Sequence, residues 1–229
     1  MAEKVIGIIG GMGPEATADL YLKIIHNTPA DIDQQHMHVL IDGNTKIPDR
    51  TTAILHGGEN PAPYIAEAAR NLFRAGADYL AISCNTAHYY YDTVQAAVPI
   101  PVLHMPKICL EYIQEKYPNV KCCGLLATSA TIQTGLYQDL AEKAGLQMLH
   151  SVPEIQTNKV MEGIRNVKAG CKDEGGELLK AAANALIERG AEVIIAGCTE
   201  IPLVLQNGSI CVPVVDPTLI LALKIIELR

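Results

Sequence analysis

Ile65, Ala68, Ala69, Leu72 and Phe73 are spaced i, i+3, i+4, i+7 and i+8, the apolar stripe of an amphipathic helix. The same stripe returns at Leu179, Ala182, Ala183, Leu186 and Ile187, 114 residues further on. Each stripe runs into a similar segment. Gly76-Ala77-Asp78-Tyr79-Leu80-Ala81-Ile82-Ser83-Cys84-Asn85-Thr86 is matched by Gly190-Ala191-Glu192-Val193-Ile194-Ile195-Ala196-Gly197-Cys198-Thr199-Glu200. This pattern predicts a helix closed by a glycine C-cap, then a strand buried on both faces, then a cysteine at the strand's carboxyl end. In open parallel sheets, ligands bind at that end.

The beginnings of the two copies also match. Lys4–Ile9 is a short apolar strand, and Lys121–Leu126 repeats it with Gly7 and Gly124 aligned. The first strand runs into Gly10-Gly11-Met12-Gly13-Pro14, where Pro14 suits the first turn of a helix reaching about His26. The second runs into Ala127-Thr128-Ser129-Ala130-Thr131, whose hydroxyls suit a helix cap or a carboxylate. Between these landmarks the pattern predicts a strand at His38–Ile41, a long polar loop from Gly43 to Asn60, a crossover at Pro99–Pro101 and a helix from Pro106 to Tyr117. Met161–Lys168 is helical, Lys172–Gly176 reads as a polar connector, and Thr218–Leu228 is a last apolar helix packing back on the first half. The fold expected is α/β, with two pseudo-symmetric three-layer half-domains, each a small parallel sheet flanked by helices. The first covers 1–101, completed by 212–229, and the second 102–211.

Composition narrows the function. With 229 residues, 49% of them hydrophobic, the chain has enough length and apolar content for substantial cores. No run approaches the roughly 18–20 apolar residues of a membrane span. A net charge of −7 without basic clusters argues against a nucleic-acid partner, and one Phe with no Trp leaves no stacking platform for bases. Seven cysteines, an odd count with no Cys-x-x-Cys pair, fit a reducing compartment. The opening MAEKVIGIIGG goes straight into a strand without a leader, so the expected setting is soluble and cytoplasmic.

Several groups compete for a chemical role. Gly11-Met12-Gly13-Pro14-Glu15-Ala16 fits the dinucleotide pattern G-x-G-x-x-A, with Asp42 after the next strand, so a nucleotide-binding module is one reading, an ordinary tight turn another, and anion binding at the helix start lies between them. His36 and His38 point the same way on a strand, but no third ligand has a recognisable spacing, so no metal is expected. Cys122 and Cys123 stand where Val5 and Ile6 stand and read as small buried residues. Arg50 is either a solvated loop residue or a carboxylate clamp, and Lys168 before Gly170 is first of all a helix-end cation. Cys84 and Cys198 differ from these because they are related by the duplication and both precede expected helix starts, where a thiolate is favoured. One cysteine alone suggests a nucleophile. Two, at equivalent strand ends, suggest a substrate approached from both faces, with a proton removed on one side of a carbon and returned on the other. Two merely buried cysteines are the alternative.

These residues carry a resemblance. Gly7–Pro14 with Ala16-Thr17, Ile47-Pro48-Asp49-Arg50, Cys84-Asn85-Thr86-Ala87-His88, Leu125–Thr128 with Thr131, and Gly197-Cys198-Thr199-Glu200 resemble the aspartate/glutamate racemases that work without pyridoxal phosphate. The likeness spans essentially the whole chain. It implies Cys84 and Cys198 as the catalytic acid/base pair, and Arg50 and Lys168 as cations near the substrate carboxylates. It also implies Met12, Asn85, Thr86, Thr128, Thr131 and Thr199 as substrate-lining residues. A homodimer with a small-molecule amino-acid substrate, no cofactor and no metal is implied with them. Ala130 stands where the family usually has glycine. Within the wider superfamily, a single-cysteine isomerase of the maleate isomerase kind or a decarboxylase is the related alternative.

Overall fold

The computed structural model describes residues 4–229. Met1–Glu3, part of the opening read as lacking a leader, lie outside the described residues. The chain forms two compact units. One runs up to Ile108 and takes back Thr218–Arg229, and the other is Cys109–Pro217.

The first unit contains β1 (Val5–Ile9), α1 (Pro14–Asn27), β2 (His38–Asp42), α2 (Arg50–His56) and α3 (Ala62–Arg74). It continues with β3 (Tyr79–Ile82), α4 (Tyr91–Ala96), β4 (Val102–Leu103) and the start of α5 (Met105–Lys116). Its sheet is parallel, in the order β2-β1-β3-β4. Alternation along the strands sends side chains to two helical layers. Ile9, Leu80 and Ile82 pack with Ile65, Ala69 and Leu72 of α3, whereas Ile6, Ile8 and Ala81 pack with Leu20 and Ile24 of α1. Burial on both faces explains why these strands read as continuous apolar runs.

The second unit contains β5 (Cys122–Leu126), α6 (Ser129–Gln133), α7 (Leu136–Lys143), β6 (Gln147–His150) and a single turn, α8 (Pro153–Ile155). A π-helical segment, Gln156–Met161, leads into α9 (Glu162–Lys168), followed by α10 (Lys172–Glu188), β7 (Val193–Ala196) and β8 (Val214–Val215). The sheet is again parallel, ordered β6-β5-β7-β8. The last helix, α11 (Pro217–Ile226), puts Leu221, Ala222 and Ile225 against Ile6 and Ile8 of the first unit's core, as its apolar pattern predicted.

The duplication extends to single contacts. A Cβ on Gly7 would lie 2.6 Å from Leu80 Cδ2 and 3.0 Å from Ala77 Cβ; one on Gly124 would lie 2.6 Å from Ile194 Cδ1 and 3.0 Å from Ala191 Cβ. Both glycines therefore let a helix-to-strand corner pack directly on the central strand. The recurring acid also has a task. Asp78 accepts a hydrogen bond from Val5 N at 2.9 Å, and Glu192 accepts from Cys122 N at 2.9 Å and Lys121 N at 2.7 Å, pinning the start of each central strand.

Five expectations need correction. The expected polar loop 43–60 contains α2, capped by Asp49 accepting from Thr52 N at 2.7 Å and closed by Gly57 at φ 63°. The supposed connector Lys172–Gly176 is the first turn of α10. Gly175 is buried there, and a Cβ on it would stand 2.9 Å from the Gly163 carbonyl oxygen, so the glycine serves close helix packing. The crossovers also run past the expected boundaries: β4 hydrogen-bonds to β3, leaving 102–108 with the first unit, and β8 hydrogen-bonds to β7, leaving 212–217 with the second. Finally, Phe73 ends its stripe exposed and Cys122 is only half-buried, while Cys123 is fully buried.

Candidate active site

In the first unit, Cys84 follows β3 at its carboxyl end and is buried in the α3 cluster with Met12 and Ile47. Asn85 and Thr86 follow it, both buried, and Thr86 opens a short 3-10 turn, Thr86–Tyr90. That turn is too short to supply the full helix dipole expected behind the thiol.

His88 fixes the Cys84 main chain. Its Nε2 accepts from Met105 N at 3.1 Å, so the ring proton sits on Nδ1 and is donated to the Cys84 carbonyl oxygen at 2.9 Å. Complete burial, with His104 adding repulsion, pushes His88 down from 6.5 to about 3. A histidine held lower in the folded state than in the unfolded one binds fewer protons when folded between those two values, so stability rises with pH across that window. We expect the stabilisation to be complete above about pH 6.5 and to be lost as pH falls towards 3, at a cost on the order of 4 kcal/mol. Urea unfolding between pH 4 and 7 checks this, and His88→Gln should flatten the slope.

Arg50, at 9% exposure, is not a solvated loop residue. It opens α2 and donates from Nη1 to Pro48 O at 3.0 Å and from Nη2 to Met12 O at 3.4 Å, which ties it to the glycine loop. Its Nε is buried without a hydrogen-bond partner. The glycine loop is occupied by its own chain. Gly10 N donates to Asp42 O and Gly11 N to Thr17 Oγ1, both at 2.9 Å, and a Cβ on Gly11 would stand 2.3 Å from the Asn44 main chain. Those two N–H groups are spent internally, which weighs against a dinucleotide cradle.

In the second unit, Cys198 stands just past β7 at its carboxyl end, buried with Leu126, Ile164, Val167 and Ile201. Thr199 is buried beside it. Thr128 caps α6 by accepting from Thr131 N at 3.2 Å, and the two hydroxyls lie 3.0 Å apart with Ala130 buried between them. Lys168 ends α9, half-exposed, with its ammonium 3.7 Å from Glu200 Oε1. Glu200 did not emerge from the sequence as a site residue. Its carboxylate is buried and accepts from Cys198 Sγ at 3.0 Å and from Thr199 Oγ1 at 3.3 Å. Burial first, then Glu200, pushes the Cys198 thiol well above its ordinary value, with Lys168 opposing. The available signal was the mismatch in the repeat, where the first copy has Thr86 in place of this acid.

Met12, Arg50, Cys84, Asn85 and Thr86 thus belong to the carboxyl end of the first sheet, and Thr128, Thr131, Lys168, Cys198 and Thr199 to the second unit. Duplicated α/β units, each with a buried cysteine at the carboxyl end of an equivalent strand, define a class of protein. Residues 9–225 match the model of the Asp/Glu/hydantoin racemase family, and the chain belongs to that family. It is similar to the broad specificity amino-acid racemase RacX of Bacillus subtilis (strain 168), with 30% identity over 224 residues and 95% of each chain covered. The solved aspartate racemase of Picrophilus torridus matches at a TM-score of 0.87 and 27% identity, covering 98% of this chain and 94% of that one. A putative Asp/Glu racemase from Yersinia pestis matches at 0.82 and 27%, covering 98% of both. No helix among the described residues is long and apolar enough to cross a membrane.

Proposed function

We propose that this chain racemises aspartate, glutamate or a close relative at the α-carbon without a cofactor, with Cys84 and Cys198 as the acid/base pair. The observation that carries the reading is that a member of this family holds two buried cysteines at the carboxyl ends of duplicated strands. One cysteine removes the α-proton as a thiolate, and the other, as a thiol, delivers a proton to the opposite face. The roles exchange for the other enantiomer, and the pair titrates as a coupled unit. Negative charge that develops on the α-carboxylate meets donors from Asn85, Thr86, Thr128 and Thr199. The unsatisfied Nε of buried Arg50 fits a substrate carboxylate as its missing partner, and Lys168 adds a point charge. A homodimer in a reducing cytoplasm completes the reading; the seven free cysteines fit the reducing setting.

Heavy water tests the mechanism. Dialysed protein is incubated with single enantiomers of aspartate and glutamate, then the enantiomers are separated and weighed by mass spectrometry at low conversion. The donor thiol exchanges with solvent before turnover, so the product should carry deuterium at the α-carbon while recovered substrate stays protiated. Substantial α-protium in the product would exclude two thiols on opposite faces. Deuterated substrate without inversion would indicate one working cysteine, and no exchange at all would remove aspartate and glutamate as its substrates.

A further inference from the structure

The two cysteines differ in what surrounds them, because only the second copy of the repeat has an acid two residues on. We propose that Glu200 is a positioning residue that grips the Cys198 sulfur and keeps it in the thiol form, making Cys198 the resting proton donor, with Lys168 as the counter-charge that limits this bias. This rests on the two-thiol reading and adds an asymmetry to it.

The geometry carries the argument. Cys198 Sγ donates to Glu200 Oε2 at 3.0 Å, and the Glu200 main-chain N–H also faces the sulfur. A carboxylate so close favours the thiol, because a thiolate there would place two negative charges in contact inside a buried site. Thr199 Oγ1 donates to the same carboxylate oxygen, while Lys168 Nζ lies 3.7 Å from the other. Among the described residues Glu200 and Lys168 are the charged groups that act on the sulfur, and Cys198 belongs to an apolar cluster with Leu126, Ile164, Val167 and Ile201. The Glu200 carboxylate therefore pushes the thiol towards its protonated form, while the Glu200 main-chain N–H and Lys168, reaching in from α9, push the opposite way.

Racemisation has an equilibrium constant of unity, so kcat/KM must be equal for the two enantiomers in any variant. The asymmetry is instead read on the sulfur. The test is iodoacetamide alkylation of Cys198, followed by peptide mass spectrometry across pH 6–10. Glu200→Gln keeps an acceptor for the thiol but removes the charge. Below the midpoint it should alkylate about tenfold faster than wild type, equivalent to a midpoint about one pH unit lower. Lys168→Met should alkylate more slowly, because the carboxylate loses its counter-charge. A role limited to packing would loosen the site and speed alkylation in both variants. Faster or unchanged alkylation in Lys168→Met, or an unchanged Glu200→Gln profile, would overturn the proposal. The half-exposed Lys168 head group keeps the first of these tests available should Glu200→Gln not fold. Alkylation does not depend on turnover, so failure of the racemase reading leaves this result separately legible.

Discussion

Cys84→Ser and Cys198→Ser are each expected to lose roughly 10²–10⁴-fold in racemisation while remaining folded. The physical reason is the acidity of the group. A cysteine thiol ionises near pH 8.5, close enough to neutrality to serve as either acid or base, whereas a serine hydroxyl does not ionise usefully in that range. Both cysteines are buried, so serine is close in size but leaves a polar hydroxyl in a largely apolar cluster, at a modest cost in stability. The two variants should fail differently in heavy water. A protein retaining only one thiol can still exchange the α-proton of the enantiomer that presents it to that thiol, without completing inversion. Each serine variant should therefore wash deuterium into one enantiomer only, and the two variants into opposite ones. Near-native turnover in either variant, confirmed folded by circular dichroism, would refute the two-base assignment. Cys123→Ser is a useful control: its sulfur is fully buried in β5, so its main effect should be on stability.

Arg50→Lys should reduce kcat/KM on aspartate or glutamate by about tenfold to a hundredfold, with a smaller loss on a neutral amino acid if one is turned over. The range corresponds to the roughly 1.5–3 kcal/mol of a charge-assisted hydrogen bond. Lysine keeps the charge but cannot present the planar fork that pairs with a carboxylate on two bonds. Arg50→Ala is a harsher and less specific change than its loop setting first suggested. The guanidinium also holds the carbonyl oxygens of Pro48 and Met12, so truncation removes structural bonds and leaves buried acceptors unpaired. Comparing acidic with neutral substrates separates the two effects, since loss of a structural tie affects both alike. Equal losses on the two substrate types would remove Arg50 from recognition of the side-chain carboxylate.

The balance between the readings follows from the same contacts. A nucleotide cradle needs main-chain N–H groups free to face phosphates, and Gly10 and Gly11 spend theirs on Asp42 and Thr17. The superfamily's single-cysteine chemistry leaves the second thiol without a task, whereas the proposed two-cysteine reading uses both.

Local periodicity and the internal repeat were enough to place the central strands, the helices before β3 and β7, and the two cysteines after them. A strand buried on both faces and an amphipathic helix each write their burial into consecutive residues, and the duplication wrote it twice. The glycines Gly7 and Gly124, and the acids Asp78 and Glu192, were visible as repeats, but only the folded contacts showed that they close corners and pin strand starts. Other features were not legible because they depend on partners distant in the chain. Helix α2 is too short to show a period, although Asp49 and Gly57 marked its ends. Gly175 looked like a connector residue because its reason is the close approach of Gly163 on another helix. The protonation of Cys198 was the least legible. It is decided by burial in an apolar cluster and by the opposed charges of Glu200 and Lys168, the latter thirty residues earlier in the chain. Sequence pattern alone determined which residues stand at the strand ends; tertiary structure decided the electric environment they meet there, because charge acts through space and the dielectric around it is set by packing.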